Sequence, residues 1–215
     1  SHDHEKLAFS ANQKIVALEP VLYETQLAGM STSDIAICDL TRNEAYLLPG
    51  ASDPNVLEIY PRWSPDGSRI VFSRSPVVSH PANIHFDLYV IPVDGGEQSV
   101  AQPIEHAAGN GRSNYFPRFS PDGKWFSFCQ CDGGDLIRSS SDLYLKAGDL
   151  KGPAHRLECN TPYAADSWHS WSSNSRWLVW ASKREGGIYA YLYMTHIDEV
   201  GHASPAIRVP MTKKH

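Results

Sequence analysis

Ten histidines and four cysteines in 215 residues are the first place to look for chemistry. Cys38, Cys129, Cys131 and Cys159 lack CxxC spacing and the CxxCH haem-attachment pattern, so neither a zinc knuckle nor a c-type haem site is encoded. Cys129 and Cys131, two apart in a predicted strand, share one face and read as small buried hydrophobes. Two cysteines and a histidine could ligate a metal, but the second ligand pair is missing, so no metal is expected. Most histidines fall in loops or near the ends. His80 and His85 flank Pro81 in a long connection, the kind of insertion that carries recognition on a rigid scaffold.

The motifs of catalysis are missing from the sequence. It contains no GxSxG elbow, Walker A, HExxH or GxGxxG. GNGR at Gly109 precedes no predicted helix, and DGGD at Asp132–Asp135 is half a calcium loop that reads as an ordinary turn. No catalytic residue and no cofactor are therefore expected. What the chain does offer is a set of polar residues at equivalent places: Glu58, Asn114 and Asp166, then four residues on Arg62, Arg118 and Ser170. Strict strand alternation puts both sets on one face, with Tyr60, Phe116 and Trp168 between them. Together with His169 these polar groups are expected to form a ring facing a central channel or its mouth and to bind there; hydrogen bonds and salt bridges between neighbouring units are the competing role. His169 stands where the other copies carry Pro61 and Pro117, and with Asp166 it is the pair to examine for an unusual pKa.

The elements that place these residues repeat. YPRWSPDGSRIVFSRS begins at Tyr60, FPRFSPDGKWFSFCQ at Phe116 and WHSWSSNSRWLVWASKR at Trp168, with a weaker LAFSANQKIVAL at Leu7. Aligned on the aromatic before Ser, these give Phe9, Trp63, Phe119 and Trp171, spaced by 54, 56 and 52 residues. A second motif starts at Asp34, Asp87, Asp142 and Tyr191 and keeps nearly the same period. Each unit reads as four short strands, with SPDG as a tight turn in which Pro presets φ and Gly accepts positive φ. Apolar residues nowhere hold a helical period for three turns.

Four-stranded antiparallel units at a fixed interval predict an all-β chain folded as a β-propeller, one unit per blade. Blade boundaries are expected at 4–56, 57–110, 111–163 and 164–215. Trp63, Phe72, Phe119, Trp125, Phe128, Trp171, Trp177 and Trp180 are expected to fill the spaces between blades. The xWSPDGxxIxF…DLYVxxxDGG pattern resembles the WD-like repeats of TolB-type propellers over essentially the whole chain. That resemblance implies a bacterial periplasmic or extracellular setting and a non-enzymatic role in binding or scaffolding. Relatives of that kind also gate or dock peptidase, cytochrome or other redox modules, which gives the alternative that the chain is part of a larger enzyme or complex.

A net charge of −5 without a basic stripe argues against nucleic acid, and no apolar run is long enough to span a membrane. The expected partner is a protein, or the remaining blades of the same propeller. The opening Ser1-His2 reads as a piece of something longer. Propellers close with about four to eight blades, but TolB-like ones generally use more than four, so four units suggest an arc whose two apolar faces need more chain or a partner.

Overall fold

The computed structural model describes residues 5–12, 17–21, 24–28, 32–79, 83–134 and 138–210. Strand β1 (Lys6–Asn12) precedes a hairpin of β2 (Ala17–Val21) and β3 (Glu24–Ala28), which pair only with each other. A first sheet runs from β1 to β4 (Ser33–Asp39) and β5 (Glu44–Leu47). The second sheet is β6 (Val56–Trp63), β7 (Arg69–Pro76), β8 (Asp87–Pro92) and β9 (Gln102–Pro103). A single parallel pair, Ser33 with Leu57, ties it to the first. The third sheet is β10 (Ser113–Phe119), β11 (Trp125–Cys131), β12 (Asp142–Ala147) and β13 (His155–Arg156). The fourth is β14 (Asp166–Trp171), β15 (Trp177–Ser182), β16 (Tyr191–His196) and β17 (Ile207–Arg208). All pairing inside these sheets is antiparallel, and no α-helix occurs among the described residues, which include a 3-10 turn at Gly96–Gln98.

Side-chain chemistry holds the turn between the first two strands of a unit. Ser64 Oγ donates to Asp66 Oδ1 (2.5 Å), which also accepts the Ser68 N–H (3.1 Å), while Gly67 takes φ +73°. Ser120, Asp122 and Gly123 repeat the arrangement. In the fourth sheet Asn174 does the work of Asp, and Ser175 takes φ +61° where Gly stands elsewhere. The Oγ of Ser175 accepts the Asp122 N–H (2.9 Å), so the turn also ties the fourth sheet to the third.

Burial follows the sheets. Phe72, Phe128 and Trp180 are each 0% exposed and sit in three successive apolar clusters. Trp63, Phe119, Trp125 and Trp171 pack on the edges of those clusters. Trp177 instead stands edge-on to His196 on the far side of the fourth sheet.

Pairing corrects the alignment of the first copy. β1 pairs with β4, the strand of the Asp34 motif, and Phe9 lies opposite Ala36 as Phe72 lies opposite Tyr89. Phe9 is therefore the counterpart of Phe72, Phe128 and Trp180, not of Trp63, Phe119 and Trp171. KLAFSA matches RIVFSR, a second strand, and the similarity of short apolar strands hid the difference.

The same register exposes the state of the two outer faces. Ile70 and Phe72 of the second sheet pack on Ile35 and Ile37 of the first, all 0% exposed. Their counterparts on the first sheet, Leu7 and Phe9, are 55% and 41% exposed. The counterparts of Ile35 and Ile37 on the fourth sheet are Leu192, 43% exposed, and the half-buried Met194. Among the described residues the first and fourth sheets do not touch.

Candidate functional site

The first strands of the second, third and fourth sheets, β6, β10 and β14, lie beside one another and carry the polar set. Each is interrupted at the same place. Between Ile59 and Arg62 the strand advances three residues while its partner advances two, and the same shift separates Tyr115 from Arg118 and Ser167 from Ser170. The residue in the bulge takes positive φ each time: Tyr60 +58°, Phe116 +53°, Trp168 +55°. An aromatic side chain pays a steric cost in that region, so three repetitions mean that the surrounding structure enforces it.

One extra residue reverses which face the rest of the strand presents. Glu58 lies opposite Arg74, whereas Arg62 lies opposite Val71, an odd number of positions away. The expectation that Glu58, Asn114 and Asp166 share a face with Arg62, Arg118 and Ser170 is therefore overturned. The acidic and amide set turns toward the preceding sheet. The arginine set turns toward the following one.

The first set lies among contacts that latch neighbouring sheets. Ser33 Oγ donates to the Glu58 carbonyl (3.0 Å), the Asn114 N–H to the Phe86 carbonyl (2.6 Å) and the Asp166 N–H to the Ser141 carbonyl (2.8 Å). Glu58 is fully buried; its Oε2 accepts the Asp53 N–H, and Arg74 Nε lies 3.4 Å from its Oε1. Burial nevertheless pushes its pKa up to about 7, outweighing the neighbouring guanidinium. The Asn114 amide donates to the Phe86 carbonyl and accepts from Gln130 (2.9 Å). Asp166 is the hub of the fourth sheet: it accepts the Trp180 indole N–H, an Arg184 N–H and the Thr161 N–H, each at 2.8 Å. Arg184 in turn lies over the rings of Tyr193 and Trp180. Nothing in its local sequence marked Arg184, nor the buried Lys146, whose ammonium donates to the carbonyls of Glu105 and Gly152.

The second set is cationic. Arg62 and Arg118 occupy the same position on adjacent strands, and both are half-buried. Arg62 donates to the carbonyl of its neighbour Pro61 (2.8 Å), and neither arginine has a carboxylate partner among the described residues. Burial and the charge of Arg118 lower the Arg62 pKa to about 10; burial also lowers that of Arg118. His169, 1% exposed, packs its Nδ1 3.5 Å from Cys129 Sγ, and its buried Nε2 has no hydrogen-bond partner. Burial, then the charges of Arg118 and Arg62, pull its pKa down to about 3, so the ring is neutral. Burial pushes the Cys129 thiol up to about 12, which leaves it unreactive. His169 and Asp166 do not form a hydrogen-bonded pair among the described contacts. Beside these charges runs an aromatic ladder, with Tyr60 and Phe116 4.5 Å apart and Phe116 and Trp168 6.0 Å apart.

His85 is exposed, and its companion His80 lies outside the described residues. Of the half calcium loop, Asp135 lies outside them too, and Asp132 forms an ion pair with Arg112. No group of three metal-ligating side chains occurs among the described residues. No helix there is long and apolar enough to cross a membrane.

No family model and no curated protein matches the chain. Solved structures do. A puromycin-hydrolysing peptidase from Mycobacterium tuberculosis superposes with a TM-score of 0.63 at 13% identity, over 94% of this chain and 31% of that one. A putative TolB from Agrobacterium tumefaciens gives 0.56 at 18% identity, over 86% and 60%. Prolyl oligopeptidase B from Galerina marginata gives 0.56 at 12%, over 97% and 32%. The chain thus spans between about a third and three-fifths of the structures it resembles. With its repeated four-stranded sheets, this likeness shows the fold alone: the chain has a β-propeller architecture.

Proposed function

We propose that the chain is a four-blade arc of a larger β-propeller, with blades near 4–56, 57–110, 111–163 and 164–215, and that it serves as a non-enzymatic binding or scaffolding module. The observation that carries this reading is the pair of outer faces. Leu7 and Phe9 on one side, and Leu192 and Met194 on the other, are the two halves of the contact that Ile70 and Phe72 make with Ile35 and Ile37. Apolar faces of matched type call for further blades or a protein partner. Ligands would meet the propeller at the exposed ends of its strands and at loops such as the one carrying His80 and His85. The resemblance to TolB-type repeats supports a periplasmic or extracellular setting in a bacterium. A second reading, in which the propeller gates or docks a catalytic domain, is favoured by the peptidase neighbours, of which this chain covers about a third.

Sedimentation and hydrophobic-dye binding of the 215-residue chain test the arc. It should bind dye or self-associate, and Leu192→Lys should reduce both. A stable monomer that binds no dye refutes the reading. Native mass spectrometry of material from its source then separates the two roles by whether a catalytic polypeptide accompanies the propeller.

A further inference from the structure

Two half-buried guanidiniums beside each other without a counter-charge form an incomplete site. Charged groups taken partly out of water are ordinarily paired, because the lost hydration must be replaced. Two other half-buried guanidiniums follow that rule: Arg74 meets Asp53 and Arg184 meets Asp166. The buried Lys146 ammonium instead donates to two backbone carbonyls. Among the described residues Arg62 and Arg118 have no carboxylate, and their side chains reach only the Pro61 carbonyl. The bulge turns them away from the acidic set, and Glu58 and Asp166 meet Arg74 and Arg184 instead. The group next to them, His169, is a neutral ring with an unpartnered buried Nε2, which adds no negative charge.

We propose that Arg62 and Arg118 form a binding site for an oxyanion, a carboxylate or phosphate group, beside the first strands of the second and third sheets. Guanidinium forks fit both groups through paired N–H donors. Tyr60, Phe116 and Trp168 border the site along the same three strands, and Trp168 is 48% exposed, so an apolar group attached to the anion has a surface to lie on. The site deepens the binding role proposed above but rests only on the second to fourth sheets. It stands whether or not further blades cover the outer faces, and failure of the dye and sedimentation test leaves it intact.

The experiment titrates the 215-residue chain, in chloride buffer, with inorganic phosphate, with a short peptide ending in a Phe carboxylate, and with the same peptide as its amide. Arginine side-chain N–H resonances and the melting temperature are followed. Phosphate or the acid peptide should shift the Arg62 and Arg118 signals and raise the melting temperature, and the amide should bind at least about tenfold more weakly than the acid. Response to phosphate alone assigns a free or ester phosphate; response to the acid peptide alone assigns a peptide carboxylate. Arg62→Gln and Arg118→Gln should each weaken binding by about tenfold or more, with Arg118→Lys falling between. Without ligand, both Gln variants should melt no lower than the parent, because each removes like-charge repulsion. A lower melting temperature without ligand, together with unchanged binding, would mean that the arginines are structural and would overturn the proposal. So would equal affinity for acid and amide combined with no response to phosphate.

Discussion

Replacing Glu58 with glutamine should make the protein more stable at alkaline pH and leave it unchanged in acid. The Glu58 carboxyl is buried and its pKa rises from 4.5 to about 7, mainly through desolvation, with Arg74 opposing and Asp34 and Asp53 adding to the rise. Between those two values the folded state keeps a proton that the unfolded chain has lost. The stabilisation from this group is therefore complete below pH 4.5 and is lost as pH climbs through about 7. The shift corresponds to about 3 kcal/mol. His169 works in the opposite sense: its pKa falls from 6.5 to about 3, so its contribution is present above 6.5 and is lost as pH falls toward 3. The parent's profile mixes the two, and the difference between parent and Glu58→Gln isolates Glu58. Urea unfolding followed by tryptophan fluorescence at pH 4.5, 6, 7 and 8 measures it. The expected difference is near zero at pH 4.5 and grows to as much as about 3 kcal/mol in favour of the variant at pH 8. Parallel profiles, or a variant weaker at pH 8, would refute the reasoning and make the charged Glu58–Arg74 pair a net stabiliser.

Two further perturbations test the latches and the close contacts. Gly148→Ala would place a Cβ 1.9 Å from the Gly123 carbonyl oxygen, backbone against backbone, and should cost at least about 2 kcal/mol in thermal denaturation. Asp166→Ala leaves Arg184 and the Trp180 indole without their buried acceptor; a loss of about 3–5 kcal/mol is expected, with a shift in tryptophan emission as the readout.

How far the sequence carried depends on which property is asked of it. The repeat, the four-strand units and the SPDG turns rest on local chemistry, and Ser64, Asp66 and Gly67 do in the structure what their residue types suggest. The Phe9 alignment failed because KLAFSA and the end of a first strand are equally short and apolar, and only pairing partners tell them apart. The shared polar face failed at Tyr60, Phe116 and Trp168. Alternation assumes regular backbone, and no glycine marks the positive φ that breaks it. Arg62, Arg118 and His169 were visible as types at matching positions, but the separation of the arginines from Glu58 and Asp166 depends on that single inserted residue. Arg184 was invisible because its partners come from three separate segments, at Cys159, Asp166 and Tyr193.

Since each of these first strands turns over at its aromatic bulge, Glu58, Asn114 and Asp166 are committed to the sheet before, while Arg62, Arg118 and Ser170 face the other way. Substitutions at the latter three positions should therefore leave in place the hydrogen bonds that join successive sheets at Glu58, Asn114 and Asp166. The fourth sheet already carries one such change, Ser170 where its neighbours have arginine. Positions of this kind can vary from one repeat to the next while the fold that presents them stays the same.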